Sequence, residues 1–147
     1  MNPDERVQWI YSSTTNQELI ERYDEWAKSY DTDMIDAFDY TSPTDVVAAV
    51  LKFMKPEDKI LDVGAGTGLV GLNLHSQGYK NLVALDMSPA MLAEAASKNI
   101  YQDLKQGVLG EPLDLPTDSI DGMISAGTFT WGHAPASAFW ELTRITK

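Results

Sequence analysis

With 147 residues, 44% of them hydrophobic and 10% aromatic, the chain has enough apolar side chains for the core of one domain and no room for a second. A formal net charge of -11 argues against nucleic acid or an anionic membrane surface as the main partner, because both repel an acidic protein at long range. The absence of cysteine excludes a disulfide scaffold, a thiolate nucleophile and a thiolate metal site.

No apolar run approaches the ~20 residues of a membrane span. Met1-Asn-Pro-Asp-Glu5 also lacks the basic, then apolar, order of a signal peptide. A cytoplasmic, soluble protein is therefore expected. Residues 1–14 show no clear period and read as a mobile arm, with 15–147 as the folded domain. At Thr15-Asn-Gln-Glu18 a capping box satisfies free amides and starts a helix. Leu19, Tyr23, Trp26 and Tyr30 recur on one face of it, and charged residues, Asp24 and Glu25 among them, occupy the other. A loop is expected over 31–41. Ser42 and Pro43 then serve as N-cap and first helical residue of a second helix, which Pro56 closes.

From residue 59 strands alternate with helices, the pattern of a parallel sheet covered on both faces. Strands are expected at 60–63, 81–85, 105–109 and 120–125, with helices at 69–76, after Ser88-Pro89, and at 135–145. A four-strand sheet ending there presents an open edge, a place for self-association or for further strands. The expected class is α/β.

The stretch Lys59-Ile-Leu-Asp62-Val-Gly64-Ala-Gly66-Thr-Gly68 is an apolar strand that ends in an acid and turns through alternating glycines. Glycine adopts positive φ and lets a ligand lie on bare backbone, while amides at the next helix start face the ligand's negative end. Within it, Gly66-Thr-Gly68-Leu-Val-Gly71 matches the dinucleotide fingerprint G-x-G-x-x-G. Register argues against that reading. The first glycine after the strand is Gly64, and counted from there the final glycine is missing. An acid one turn earlier suits an amine-bearing nucleoside without phosphate, as in S-adenosylmethionine.

On these motifs the chain resembles the class I S-adenosylmethionine-dependent methyltransferases. Ile60 to Gly68 is similar to the family's first motif and Leu85-Asp86-Met87-Ser88 to its second. Gly110-Glu111 before Leu115-Pro116 is like its third, with Glu in place of Asp, and Ile120 to Gly127 is like its fourth. Tyr23-Asp-Glu-Trp26-Ala-Lys-Ser-Tyr30-Asp31 resembles the Williams-Beuren-region methyltransferase-like group. The resemblance implies a Rossmann-like three-layer sandwich with N-terminal helices, here with an incomplete sheet: the chain is expected to be C-terminally truncated, lacking the last strands.

The resemblance further implies S-adenosyl-L-methionine as cofactor and S-adenosyl-L-homocysteine as product. Gly64, Ala65, Gly66 and Gly68 then pack against methionine and ribose, with Asp62 near the amino end. Asp86 accepts from the ribose hydroxyls, Met87 lies on the adenine face, Glu111 takes the exocyclic amine, and Ser125, within the fourth motif, also borders the cofactor. Tyr23 and Tyr30 cover the pocket, although the same spacing also fits plain core packing, as expected for Trp26. His75 reads as structural or exposed, and His133 as a solvated loop residue rather than a base. The implied reaction is in-line methyl transfer to a small-molecule or protein acceptor, with no nucleic acid and no membrane partner, no metal, and no assigned catalytic residue. A cofactor-binding module without turnover and an NAD-dependent oxidoreductase are the alternatives.

Overall fold

The computed structural model describes residues 1–147. Ten elements follow in chain order: α1 (Pro3–Tyr11), α2 (Asn16–Phe38), α3 (Ser42–Val50), β1 (Ile60–Val63), α4 (Leu69–Ser76), β2 (Leu82–Asp86), α5 (Pro89–Ser97), β3 (Asp103–Gln106), β4 (Gly122–Ile124) and α6 (Ala138–Ile145). All strand pairs are parallel, in the order β3-β2-β1-β4. Ile60 faces Leu82 on one side and Gly122 on the other. The chain therefore builds outward from β1 to β3 and then returns to the opposite side of β1. That reversal opens a crevice at the carboxyl ends of β1 and β4, where open α/β sheets bind ligands.

Alternating residues of each strand go to opposite faces, and the core divides accordingly. Leu61, Val63, Val83 and Leu85 pack with Leu142 and Ile145 of α6 and with Leu113 and Leu115. Ile60, Leu82 and Ile124 pack on the other face with Val47 of α3 and with Val70 and Leu74 of α4. Ala84 meets Leu92 of α5. The result is the expected α/β three-layer arrangement. A third cluster, Ile10, Leu19 and Trp26, joins α1 to α2.

The boundaries differ from expectation in instructive places. Residues 1–14, expected as a mobile arm, contain α1. Its Asn2 side chain accepts from the Glu5 amide at 2.9 Å, the Glu5 carboxylate accepts from the Asn2 amide at 2.9 Å, and Ile10 is 1% exposed. The Asn2-Pro3-Asp4-Glu5 capping signal is in the sequence, but so short a helix is stable only once Ile10 is buried. Helix α2 continues through the expected loop to Phe38. No Gly or Pro interrupts 16–38, and a tertiary bond from Lys98 to Asp31, with one from Trp26 of the same helix to Asp33, offsets the low helix propensity of aspartate.

Strand β3 lies two residues before its expected start and shows no apolar alternation, because it is an edge strand with exposed ends. β4 is shorter than expected. A Cβ on Gly122 within it would stand 2.4 Å from Met54 Cε, so any larger residue there displaces the end of the Met54 side chain. Beyond α6, Thr146 forms a parallel bridge with Ile120, and the Lys147 amide donates to the Ile120 carbonyl at 2.9 Å.

Candidate cofactor site

The segments that follow all four strands converge on one pocket. Its wall comprises Gly64 and Gly66 after β1, Asp86 at the end of β2 with Met87 after it, Gly107 to Leu109 after β3, and Ala126 to Thr128 after β4. Helix α2 contributes Asn16, Leu19, Tyr23 and Tyr30, and the loop after β4 adds His133 and Ala134.

Gly64, Gly66 and Gly68 have φ of 70°, 54° and 91°, so the turn out of β1 runs through the left-handed region three times. At Gly64 a Cβ would lie 2.1 Å from Thr128 Oγ1, which makes space a second requirement. The Asp86 carboxylate closes the turn: it accepts from the Gly66 amide at 2.8 Å and from the Ser88 amide at 2.9 Å. Burial raises its pKa, and the amide donors oppose that shift. One carboxylate thus holds the β1 and β2 loops together while bordering the pocket.

Of the expected site residues, Tyr23, Tyr30, Gly64, Gly66, Asp86 and Met87 line this pocket. Ala65 lies beneath the loop, 7% exposed, and borders a smaller cleft with Tyr30, Tyr40 and Thr67. Gly68 is the N-cap of α4. Ser125 turns inward, its hydroxyl donating to the Val63 carbonyl at 2.8 Å. Glu111 stands exposed outside the wall, where Val108 and Leu109 take the β3 side.

Asp62 is also outside the pocket wall. It is 1% exposed, one oxygen accepts from Tyr101 Oη at 2.5 Å, and Oδ1 has no partner. Burial pushes this carboxyl from its ordinary 3.8 up to about 7, against the pull of the Tyr101 hydroxyl. The folded chain thus holds this proton more tightly than the unfolded chain does, so stability is lost as pH rises from 3.8 through about 7. Thermal unfolding across that window is expected to show a falling melting temperature. In Asp62→Asn, which keeps an acceptor for Tyr101 without a titrating proton, the slope should flatten. An unchanged slope would remove Asp62 as its source.

His133 is the main correction to the residue-level expectations. Rather than standing free in solvent, it joins the pocket wall, with Nε2 2.8 Å from Tyr23 Oη. Nδ1 lies 3.1 Å from both the Trp131 carbonyl and Thr130 Oγ1, so both ring nitrogens have polar partners. Burial raises the Tyr23 pKa well above 10, which keeps the phenol protonated beside the imidazole. Tyr11 packs edge-on against the same imidazole at 5.0 Å. Nothing within a few residues of His133 signals a contact 110 positions away. Trp26 is core as expected, 2% exposed, with Nε1 donating to Asp33 at 2.7 Å.

Residues 61–147 match the pattern of the methyltransferase domain family. The chain belongs to that family. S-adenosylmethionine is the cofactor of this methyltransferase class, and the dinucleotide match at Gly66 to Gly71 does not carry a nicotinamide role. Human methyltransferase-like protein 27 is 36% identical over 129 residues, which cover 85% of this chain and 52% of that protein. A Bos taurus 18S rRNA (guanine-N(7))-methyltransferase is 38% identical over 79 residues, covering 52% of this chain and 28% of that one. Among solved structures, a Haloferax volcanii methyltransferase in complex with the Trm112 methyltransferase activator aligns with a TM-score of 0.72 at 25% identity, over 85% of this chain and 55% of that one. The chain thus spans about half the length of the first of these curated relatives.

These relatives overturn one expectation. Nucleic acid was excluded as a partner because the chain carries a net charge of -11. Yet the bovine methyltransferase is named for an rRNA guanine, and the archaeal one is bound to an activator protein. Net charge describes the whole surface, whereas an acceptor meets one pocket mouth, and a bound subunit adds charge of its own. The exclusion does not hold for this family. As to membranes, no helix is long and apolar enough to cross one.

Proposed function

We propose that this chain forms the cofactor site of a methyltransferase, in which S-adenosylmethionine lies across the carboxyl ends of β1 and β2 and gives its sulfonium methyl to an acceptor. The observation that carries this reading is the convergence of all four strand ends on one pocket, with Asp86 tied to the Gly66 and Ser88 amides at its centre. Asp86 takes the ribose hydroxyls, Met87 and Leu109 flank the adenine, and the Gly64 to Gly68 backbone faces the ribose and methionine. Asp62, buried away from the wall, supports the turn from beneath. Glu111 reaches the adenine amine only from the rim, so the burden of holding the base falls on the apolar residues.

Tyr23 and Tyr30 roof the pocket from α2. An aromatic ring near a sulfonium gains roughly 0.5 to 2 kcal/mol of cation–π attraction. The acceptor's nitrogen, oxygen, sulfur or carbon attacks the methyl in line, and S-adenosylhomocysteine departs as a neutral thioether. The site's contribution is orientation, which supplies up to ~7 to 11 kcal/mol in well-aligned reactions. A protonated acceptor would also need a proton sink, and His133 with Tyr23 is the imidazole in the pocket wall.

Calorimetric titration tests the cofactor assignment directly. S-adenosylhomocysteine is expected to bind and NAD to give no heat. Binding of NAD alone would overturn the reading. Transfer of a radiolabelled methyl group to candidate acceptors, rRNA included, tests turnover separately.

A further inference from the structure

Helix α2 carries two carboxylates that touch no part of the pocket and yet hold both of its principal loops. The Asp24 carboxylate accepts from Ser88 Oγ at 2.5 Å and from the Ala90 amide at 3.1 Å, at the first turn of α5. The same Ser88 hydroxyl oxygen accepts from the Met91 amide at 3.0 Å, and the Ser88 amide donates to Asp86 at 2.9 Å. Seven residues along α2, on the same helix face, the Asp31 carboxylate accepts from Thr67 Oγ1 inside the glycine turn. Its other oxygen meets Lys98 Nζ at 2.9 Å, and that ammonium also donates to the Thr67 carbonyl at 2.7 Å. Thr67 is 1% exposed and Ser88 is fully buried. Neighbouring Tyr23 and Tyr30, with the same spacing, face the pocket. One stripe of α2 roofs the pocket while the adjacent stripe grips the loops.

We infer that Asp24 and Asp31 are positioning residues for the cofactor: Asp24 sets the β2 loop that aims Asp86, and Asp31 with Lys98 sets the glycine turn. This rests on the cofactor assignment above. Neither side chain meets the cofactor. Each acts through groups that do, so the cost of removing it falls on affinity as well as on stability. Backbone amides and one carboxylate recognise a ribose only when they hold their geometry, and two loops joined through Asp86 and Gly66 lose it together.

The test is calorimetric titration of S-adenosylhomocysteine into the unaltered chain, Asp24→Ala, Asp31→Ala and Glu25→Ala, at a temperature where circular dichroism shows all four folded. Losing a hydrogen bond to a charged group is expected to weaken binding about tenfold in each aspartate variant. Glu25, exposed on the same helix, serves as the control and should bind as the unaltered chain. Asp24→Asn retains an acceptor for Ser88 and is expected to recover most of the affinity. In an Asp86→Asn background, Asp24→Ala should cost much less, since its route to the ribose is gone. Lower melting temperatures with unchanged affinity in both aspartate variants would overturn the inference, as would a full tenfold loss in the Asp86→Asn background for Asp24. Failure of the unaltered chain to bind overturns the cofactor assignment itself and this inference with it, an outcome distinct from either of the others.

Discussion

Asp86→Ala is expected to weaken S-adenosylhomocysteine binding by about 100-fold or more. The carboxylate is assigned two ribose hydroxyls, and hydrogen bonds to a charged partner contribute about 1.5 to 3 kcal/mol each, or about tenfold per 1.4 kcal/mol. It also accepts from the Gly66 and Ser88 amides, so its loss releases both loops. Asp86→Asn keeps the size and one acceptor oxygen, and should fall between alanine and the unaltered chain. Calorimetry at fixed pH gives the comparison, and alanine-variant affinity equal to that of the unaltered chain would refute the role. Because burial raises the Asp86 pKa, affinity should also decline on acidification as this carboxylate takes up a proton and loses its charge.

Gly71→Ala is expected to destabilise the fold by about 3 kcal/mol, lowering the melting temperature by about 10 °C for a domain of this size. In an exposed helix the same change stabilises by about 1 kcal/mol, so the sign itself is diagnostic. Here a Cβ would stand 2.1 Å from Tyr101 Oη and 2.4 Å from its Cζ. Tyr101 would have to leave, and Asp62, at 1% exposure and with Oδ1 already unpartnered, would lose its hydroxyl donor. A melting temperature equal to or above that of the unaltered chain would show that the ring moves aside without cost. Gly71 is the last glycine of the apparent dinucleotide fingerprint, and its neighbour is a tyrosine ring.

The parts of the site that were legible from the sequence are those whose chemistry is local. An apolar run ending in Asp62, glycines at alternate positions and an acid at the end of the next strand each impose their geometry on the few residues around them. Elements governed by burial were less legible. The signal for α1 lay in Asn2 and Glu5, but the helix depends on Ile10 reaching Leu19 and Trp26. The displacement of β3 has a similar origin, since an edge strand with exposed ends carries no alternation to read. Asp24 reads as part of a charged solvent face, which periodicity alone cannot distinguish from a face that grips loops, and Asp31 reads as the first residue of a loop.

What the sequence determined by itself is the alternation of strands and helices, the left-handed turn after β1 and the position of Asp86, because backbone sterics and burial patterns act over a turn or a strand. Only the tertiary structure decided which of those residues meet. Asp62 and Tyr101 are 39 positions apart, Asp24 and Ser88 64, and Tyr23 and His133 110. The β3-β2-β1-β4 order carries such pairs to the same end of the sheet. Contacts of that range arise from packing several elements at once, so no local pattern encodes them.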